Sequence, residues 1–351
     1  MKIKFTPLTL FSLALLFGLS TSCSTSNVVM QVLAPAQISV SSDIQELALV
    51  NRYRPGKGEG LLNVLEGALT GENIGQDRRS AEAALGGLTN ALAGSPRFRI
   101  TRPGVELKGT GRGDFPAPLE VNIVRDICAR NRADALVTIE AFDSDTQESC
   151  KAEVREKKVK GETIKYTVFM AEKNIDVTVG WRMYDGQSGV LIDEYRMGES
   201  VYFDAEGDSE AEAYGNLPGQ NQVTTRIGEV TGNKYSERIS PTWLTVNRRY
   251  YSKGSDALKI AKRQVRYKDW EKAEAWWDKA LDDPKEKVRG RAMYNKALAA
   301  EMRGDLSLAL DLATEAGQKY GDKRAYSYTA TLRRRIAEQQ ILNEQMQGAP
   351  E

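Results

Sequence analysis

A spacing of 36 residues recurs in the C-terminal part of this chain and limits the folds open to it. The repeated positions are small or aromatic, and they are Ala261, Ala273, Trp277 and Ala280 in the first copy and Ala297, Ala309, Ala313 and Ala316 in the second. Small side chains at these positions let one helix of a hairpin approach the next closely. Pro284 closes the first hairpin. The spacing therefore predicts an all-helical domain over residues 255–345, with a helix over residues 324–345 that caps its open end.

This pattern resembles tetratricopeptide repeats, whose period is roughly 34 residues. Tetratricopeptide arrays bind partners through the surface formed by the first helix of each pair, and the resemblance implies this role for a set of residues here. They are Leu258, Lys262, Val265 and Arg266 in the first copy and Arg291, Tyr294, Leu298, Glu301 and Met302 in the second. In the alternative interpretation, this face packs against the α/β part of the chain or is ordinary solvated surface.

The N-terminus is typical of an export signal. Lys2 and Lys4 precede an apolar run of 12 residues, 8–19, which is shorter than the roughly 20 residues that a membrane-spanning helix needs. The segment 19–23 (LSTSC) resembles the lipobox of bacterial lipoproteins, in the serine-rich form common in Bacteroidota. The resemblance implies that residues 1–22 are a signal peptide and that Cys23 is lipidated. The alternative is an ordinary secretory signal followed by an incidental cysteine.

These expectations place the protein in the cell envelope. The residues after Cys23 are Ser, Thr, Ser and Asn, without an acidic run, which favours an outer-membrane lipoprotein that faces the periplasm. Cys128 and Cys150 then lie in an oxidising compartment, where a disulfide between them is one interpretation and two buried free thiols are the other. The sequence leaves this pairing open.

Residues 40–205 have the pattern of an α/β body. Predicted strands are residues 47–50, 98–100, 135–139, 177–183 and 190–201. Predicted helices are residues 61–69, residues 77–93 and a third helix around residues 123–127. Strands and helices alternate along the chain until a closing hairpin, and this order favours a mixed sheet flanked by helices. The expected fold class is therefore α/β, followed by an all-α tetratricopeptide-like repeat domain.

Three short motifs connect this body to known lipoproteins. They are residues 97–100 (RFRI), 133–136 (ADAL) and 185–191 (DGQSGVL). Their order resembles the α/β domain of the curli secretion lipoprotein and of the penicillin-binding-protein activators, over roughly residues 45–205. The whole chain resembles a family of Bacteroidota lipoproteins that carry this body ahead of helical repeats.

The sequence thus divides into six parts. They are a signal peptide 1–22, a tether 23–39, an α/β body 40–205, a helical connector 206–254, repeats with a capping helix 255–345, and a tail 346–351.

The composition bears on the chemistry open to the protein. The chain contains no histidine, and its 49 Lys+Arg nearly balance its 48 Asp+Glu. The missing histidine excludes Ser-His-Asp and Cys-His catalysis and His-ligated zinc, and the balanced charge argues against nucleic acid as a main partner. Asp143 and Asp145 alternate as metal ligands do, but no calcium loop follows them. We therefore expect no catalytic site, no metal and no cofactor.

The leading hypothesis is a lipid-anchored, non-enzymatic adaptor that binds another envelope protein through its helical repeats. One alternative is a hydrolase or ligand-binding protein whose loops 55–60 and 103–118 flank a pocket at the strand ends. A second alternative is a subunit of an oligomeric envelope assembly.

Overall fold

The computed structural model describes residues 24–53, 75–111 and 113–347. The predicted signal peptide 1–22, the lipidation site Cys23, the loop 55–60 and the helix 61–69 lie outside the described residues. The chain divides into two compact units. The helical unit comprises the described residues up to Val32 together with Leu244–Gln340, and the α/β unit comprises Leu33–Trp243 together with the residues from Ile341 onward.

Strands and helices alternate in the N-terminal two thirds of the described chain, and helices follow. The strands are β1 (Thr25–Ala34), β2 (Glu46–Asn51), β3 (Arg99–Thr101), β4 (Ala135–Val159), β5 (Glu162–Asp185), β6 (Leu191–Gly207) and β7 (Thr242–Tyr251). The helices are α1 (Gln76–Ala93), α2 (Val121–Asn131), α3 (Glu210–Gly215), α4 (Gln220–Ile239), α5 (Asp256–Arg266), α6 (Trp270–Leu281), α7 (Glu286–Met302), α8 (Leu306–Gln318) and α9 (Lys323–Gln345). The predicted fold class, a mixed sheet with helices followed by an all-helical segment, is confirmed.

The five-stranded sheet of the α/β unit has the order β3-β2-β4-β5-β6. β2 is parallel to both β3 and β4, whereas β4, β5 and β6 form antiparallel pairs. α1 and α4 cover one face, where Leu85, Leu88 and Tyr235 pack with Trp181. α2 covers the other face, where Ile127 belongs to a separate apolar cluster. Because successive side chains of β2 point to opposite faces, its buried run Leu47 to Val50 contributes to both clusters.

Two segments differ from the sequence expectations in their local structure. Residues 25–34, which the sequence assigned to a tether over 23–39, form β1 and pair with β7 in a two-stranded sheet. The segment predicted as a helical connector, 206–254, contains α3 and α4 but ends in the strand β7.

The hairpin of β4 and β5 is much longer than the sequence pattern indicated. The strands have 25 and 24 residues, whereas apolar patterning marked only residues 135–139 and 177–183. They are joined by the two-residue turn Lys160-Gly161, in which both residues have positive φ, 52° and 93°, as a type I′ turn requires. The outer part of β4 was not predicted because charged residues crowd positions 151–160 on both faces, although Ile164, Tyr166 and Val168 alternate with polar residues in β5.

α1 and α4 approach each other unusually closely. A Cβ added at Gly87 of α1 would overlap the backbone of Glu229, and a Cβ at Gly232 of α4 would overlap the backbone of Ala84. Glycine therefore lets the two backbones touch and sets the separation of the helix pair.

The helical unit contains two helix hairpins, α5–α6 and α7–α8, followed by α9. Ser255, Asp269 and Asp305 cap the N-termini of α5, α6 and α8 by accepting hydrogen bonds from backbone N–H groups. The repeated alanines and Trp277 are all buried between the helices, as their spacing predicted. Within the described ranges, no helix is both long and apolar enough to span a bilayer.

Candidate interaction surface

The structure buries most of the residues that the tetratricopeptide resemblance implied for partner binding. Leu258, Val265, Tyr294, Leu298 and Glu301 are buried. Lys262, Arg291 and Met302 are half-buried, and Arg266 is exposed. A partner therefore cannot reach five of these side chains on the surface of the folded chain.

Strand β7 contacts the predicted face of α7. The backbone N–H of Tyr251 donates to Oδ1 of Asn295 at 2.7 Å, and Nδ2 of Asn295 donates to the carbonyl oxygen of Tyr251 at 2.7 Å. The Tyr251 ring meets the ring of Tyr294 edge-on, with centroids 5.4 Å apart. Arg291 donates to the carbonyl of Lys253 at 2.7 Å. The chain's own segment thus takes the position at which a partner was expected in the second repeat.

A buried carboxylate joins β7 to α7 and α9. Arg248 of β7 and Arg335 of α9 each donate to Oε1 of Glu301 at 2.8 Å, and the hydroxyl of Tyr328 donates to Oε2 at 2.7 Å. Burial alone would raise the pKa of the Glu301 carboxyl, but these hydrogen bonds outweigh burial and hold its pKa below the usual value. Glu301 is therefore ionised, and its carboxylate links β7 and α9 to α7 within the helical unit.

A cationic face lies on α5, and three of its four cations are exposed. Its cations are Lys259, Lys262, Arg263 and Arg266. The first is three and four residues from the middle two, and the last is four and three residues from them, so all four lie on one side of the helix. Lys259 pairs with Asp256 at 3.0 Å, and no ion pair links the other three to any residue in the described part of the chain. Tyr267 follows directly and is 83% exposed. We call these four cations and Tyr267 the α5 face.

The resemblance had indicated Lys262 and Arg266 of this face, and it missed Lys259, Arg263 and Tyr267. The signal was present in the sequence, since the opposite side of the helix holds Leu258, Ala261 and Val265 at the apolar spacing of a packed helix. All three of these apolar residues are buried.

Comparison with protein families agrees with the division into two parts. Residues 44–251, more than half of the chain, match the family described as a domain of unknown function, DUF8603. The chain belongs to the DUF8603 family. Residues 259–334 match a second domain of unknown function, DUF6340. No curated protein matches the chain. The DUF8603 match begins two residues before β2 and ends with β7, and the DUF6340 match runs from α5 into α9.

The DUF8603 region contains a second buried carboxylate, Glu140 of β4. Arg52 donates to its Oε2 at 2.7 Å, and Thr138 and Tyr184 donate to its Oε1 at 2.6 and 3.0 Å. Arg52 also donates to the carbonyls of Lys108 and Ala117, at 3.0 and 2.9 Å. The loop 103–118, which the ligand-binding alternative placed beside a pocket, is therefore tied to this cluster in its described residues.

A shallow pocket lies instead near the carboxyl end of β2. It has a volume of about 490 Å³ and is lined by Asn51, Gly75, Arg78, Arg79 and Glu82. In α/β sheets, the carboxyl end of parallel strands is a usual position for ligands. Across the described ranges, no cluster of histidine, cysteine or carboxylate side chains could hold a metal ion.

The two cysteines of the DUF8603 region are both free thiols. Cys128 lies in α2 and packs in the apolar cluster under that helix, whereas Cys150 of β4 packs beside α3 in a different cluster. The disulfide that the sequence left open is therefore not formed in the structure. Burial, together with the nearby Asp134 and Asp185, raises the pKa of the Cys128 thiol to about 11.

We expect the two thiols to differ in reactivity. In the folded protein at about pH 8, iodoacetamide should modify Cys150 and leave Cys128 unmodified, since only the thiolate reacts and Cys128 is buried and protonated. Both should react in urea. Peptide mass mapping measures the two sites separately, and Cys150→Ser is the control that removes the fast reaction. Resistance of both cysteines in urea until a reductant is added would instead show a disulfide.

Proposed function

We propose that this chain is a lipid-anchored, non-enzymatic protein of the cell envelope that binds another envelope protein through tetratricopeptide-like helices at its C-terminus. The observation that carries the proposal is the α5 face, which combines a row of cations with an exposed tyrosine. Tyrosine and arginine are enriched among residues that dominate the energy of protein interfaces. The partner that fits this face is an acidic segment of another protein.

The contacts of β7 support a binding site restricted to the first repeat. β7 covers Tyr294 and Glu301 in the second repeat, so a partner that used this face of α7 would have to displace the strand. On the cationic side of α5, Arg263 and Arg266 are not covered by any segment that the structure describes, and both are exposed. Positive charge on one exposed helix face also steers an acidic partner toward it.

In the proposed function, Cys23 carries the lipid that holds the protein to the membrane. The next residue, Ser24, already contacts the helical unit. The N–H of Ser252 donates to the carbonyl oxygen of Ser24 at 3.0 Å, and the hydroxyls of Ser26 and Ser252 are also 3.0 Å apart. A lipid on Cys23 would therefore be one residue from the ordered helical unit. So short a connection would keep the helical unit close to the bilayer, and the bilayer surface that we propose is the periplasmic side of the outer membrane.

The α5 face is tested by crosslinking in the envelope of the source organism. With benzoylphenylalanine in place of Tyr267, we expect a specific crosslinked protein whose yield falls about tenfold when Arg263→Glu and Arg266→Glu reverse the charge. The matched control is Lys287→Glu with Lys323→Glu, which makes the same charge change at exposed positions outside the α5 face. The captured protein is identified by mass spectrometry, and its purified form should bind with an affinity that falls as salt rises.

Equal crosslinking by the charge-reversed and control variants would contradict a role for the α5 face. Absence of any crosslink would favour the ligand-binding alternative. The pocket beside Asn51 supports that alternative. It contains Arg78 and Arg79 near the N-terminus of α1, which suit an anionic small molecule.

A further inference from the structure

The outer part of the β4–β5 hairpin projects beyond the rest of the sheet. The last pairing of β5 with β6 joins Phe169 to Gly207, whereas β5 and β4 remain paired to the turn at residues 160–161. The seven residues of β5 beyond this point, 162–168, extend roughly 23 Å. We call residues 151–167 the ribbon.

The ribbon is exposed on both faces. Of its residues, only Arg155 and Tyr166 are half-buried, and the others are exposed. A two-stranded hairpin is at best marginally stable alone in water, and no strand of the described residues pairs with the outer part of this one. Such an element is suited to contact something outside the chain.

Only some of the charges of the ribbon are paired. Arg155 pairs with Glu153 at 3.1 Å and with Glu206 of β6 at 2.8 Å, and Glu156 lies 3.5 Å from Lys165. Nearer the turn, no ion pair joins Lys157, Lys158 or Lys160 to another residue in the described part of the chain. Glu162 lies just beyond the turn. The tip therefore carries an excess of positive charge.

Apolar side chains lie among these lysines. Val154 is 63% exposed, Ile164 45% and Val159 41%. The ammonium group of Lys157 lies 4.8 Å from the centre of the Tyr166 ring. Aliphatic side chains interleaved with lysines and a tyrosine fit the interface of a bilayer, where the apolar groups enter the headgroup layer and the ammonium groups remain at the phosphates.

The lysines also argue against another protein strand as the ligand of the ribbon. Lysines on an exposed strand edge oppose the addition of another strand, because they must approach the neighbouring chain. A second copy paired along the ribbon would bring two such rows of lysines together. A negatively charged membrane surface would attract these lysines instead of repelling them. We propose that the ribbon tip, residues 154–166, binds the headgroups of an anionic phospholipid membrane.

Hydrogen exchange tests the proposal at the ribbon itself. The full chain is reconstituted into nanodiscs of phosphatidylcholine alone or of phosphatidylcholine with phosphatidylglycerol, and exchange is read by mass spectrometry. We expect ribbon amides to exchange several-fold more slowly on the anionic discs, with protection lost at high salt. Each lysine near an anionic surface strengthens association by roughly fivefold, so Lys157→Gln, Lys158→Gln and Lys160→Gln together should abolish the difference.

The matched control replaces three exposed lysines of the helical unit outside the α5 face, Lys285→Gln, Lys287→Gln and Lys323→Gln. It changes the net charge equally and should keep the protection. Exchange in the rest of the chain shows whether each variant is folded. Equal ribbon exchange on the two lipid compositions would overturn the proposal and favour an acidic protein as the ligand of the ribbon. Protection that survives the loss of Lys157, Lys158 and Lys160 would also overturn it.

Discussion

Replacement of Glu301 by alanine is expected to lower the free energy of unfolding of the protein by about 3–5 kcal/mol. The carboxylate is fully buried and accepts hydrogen bonds from Arg248, Arg335 and Tyr328. Its removal leaves two largely buried guanidinium groups without a counter-charge, and the desolvation cost of those charges is then uncompensated. Urea unfolding of the full chain measures the loss, and hydrogen exchange of α7 and α9 peptides locates it.

Glu338→Ala is the matched control for this prediction. Glu338 belongs to the same unit and also pairs with an arginine of α9, Arg334, but this pair is solvent-exposed and its atoms are 3.5 Å apart. Exposed helix pairs contribute about 0.5 kcal/mol or less, so this variant should unfold almost as the parent does. Similar losses from both variants would contradict the buried network. A large loss from Glu301→Ala alone would confirm that the carboxylate holds β7 and α9 against α7.

The second large effect is expected where α1 and α4 touch. Gly87→Ala should lower the free energy of unfolding by about 1–3 kcal/mol, since the new methyl group would overlap the carbonyl oxygen of Glu229 and force the two helices apart. The obstacle is backbone of α4, which cannot rotate aside as a long side chain can. Urea unfolding followed by far-ultraviolet circular dichroism measures the change.

The preceding residue provides the control. A Cβ at Gly86 would meet no atom within 4 Å, so Gly86→Ala should raise the free energy of unfolding by roughly 0.5–1 kcal/mol through the higher helix propensity of alanine. Two identical substitutions at adjacent positions are thus expected to have opposite signs. Stabilisation by both would show that α1 and α4 are further apart than in the structure.

Local pattern was enough to predict the elements whose apolar residues recur regularly. The sequence predicts a helix over residues 77–93, and α1 spans Gln76–Ala93. The alanine spacing likewise predicts the two helix hairpins, because close helix packing demands small residues at fixed intervals. The cations of the α5 face are also recognisable from local spacing, because residues three and four apart lie on the same side of a helix.

Other elements have no such local signature. β1 pairs with β7, more than 200 residues away along the chain, and the sequence around residues 25–34 does not contain the identity of its partner. The outer part of β4 has charged residues on both faces and lacks apolar alternation, because neither face is buried. Gly87 and Gly232 appear in the sequence as weak helix residues, and only their contacts explain their presence.

The helical hairpins, the buried strands and the cationic side of α5 follow from periodicity, because each depends on residues close together in the chain. The tertiary structure decided which faces remain accessible. Tyr294, Leu298 and Glu301 have the spacing of a binding face, yet they are buried in the helical unit, where strand β7 and helix α9 meet α7. The two cysteines remain apart for the same reason, since packing placed them in separate clusters. Burial depends on what packs against a residue, and that neighbour can be encoded anywhere in the chain.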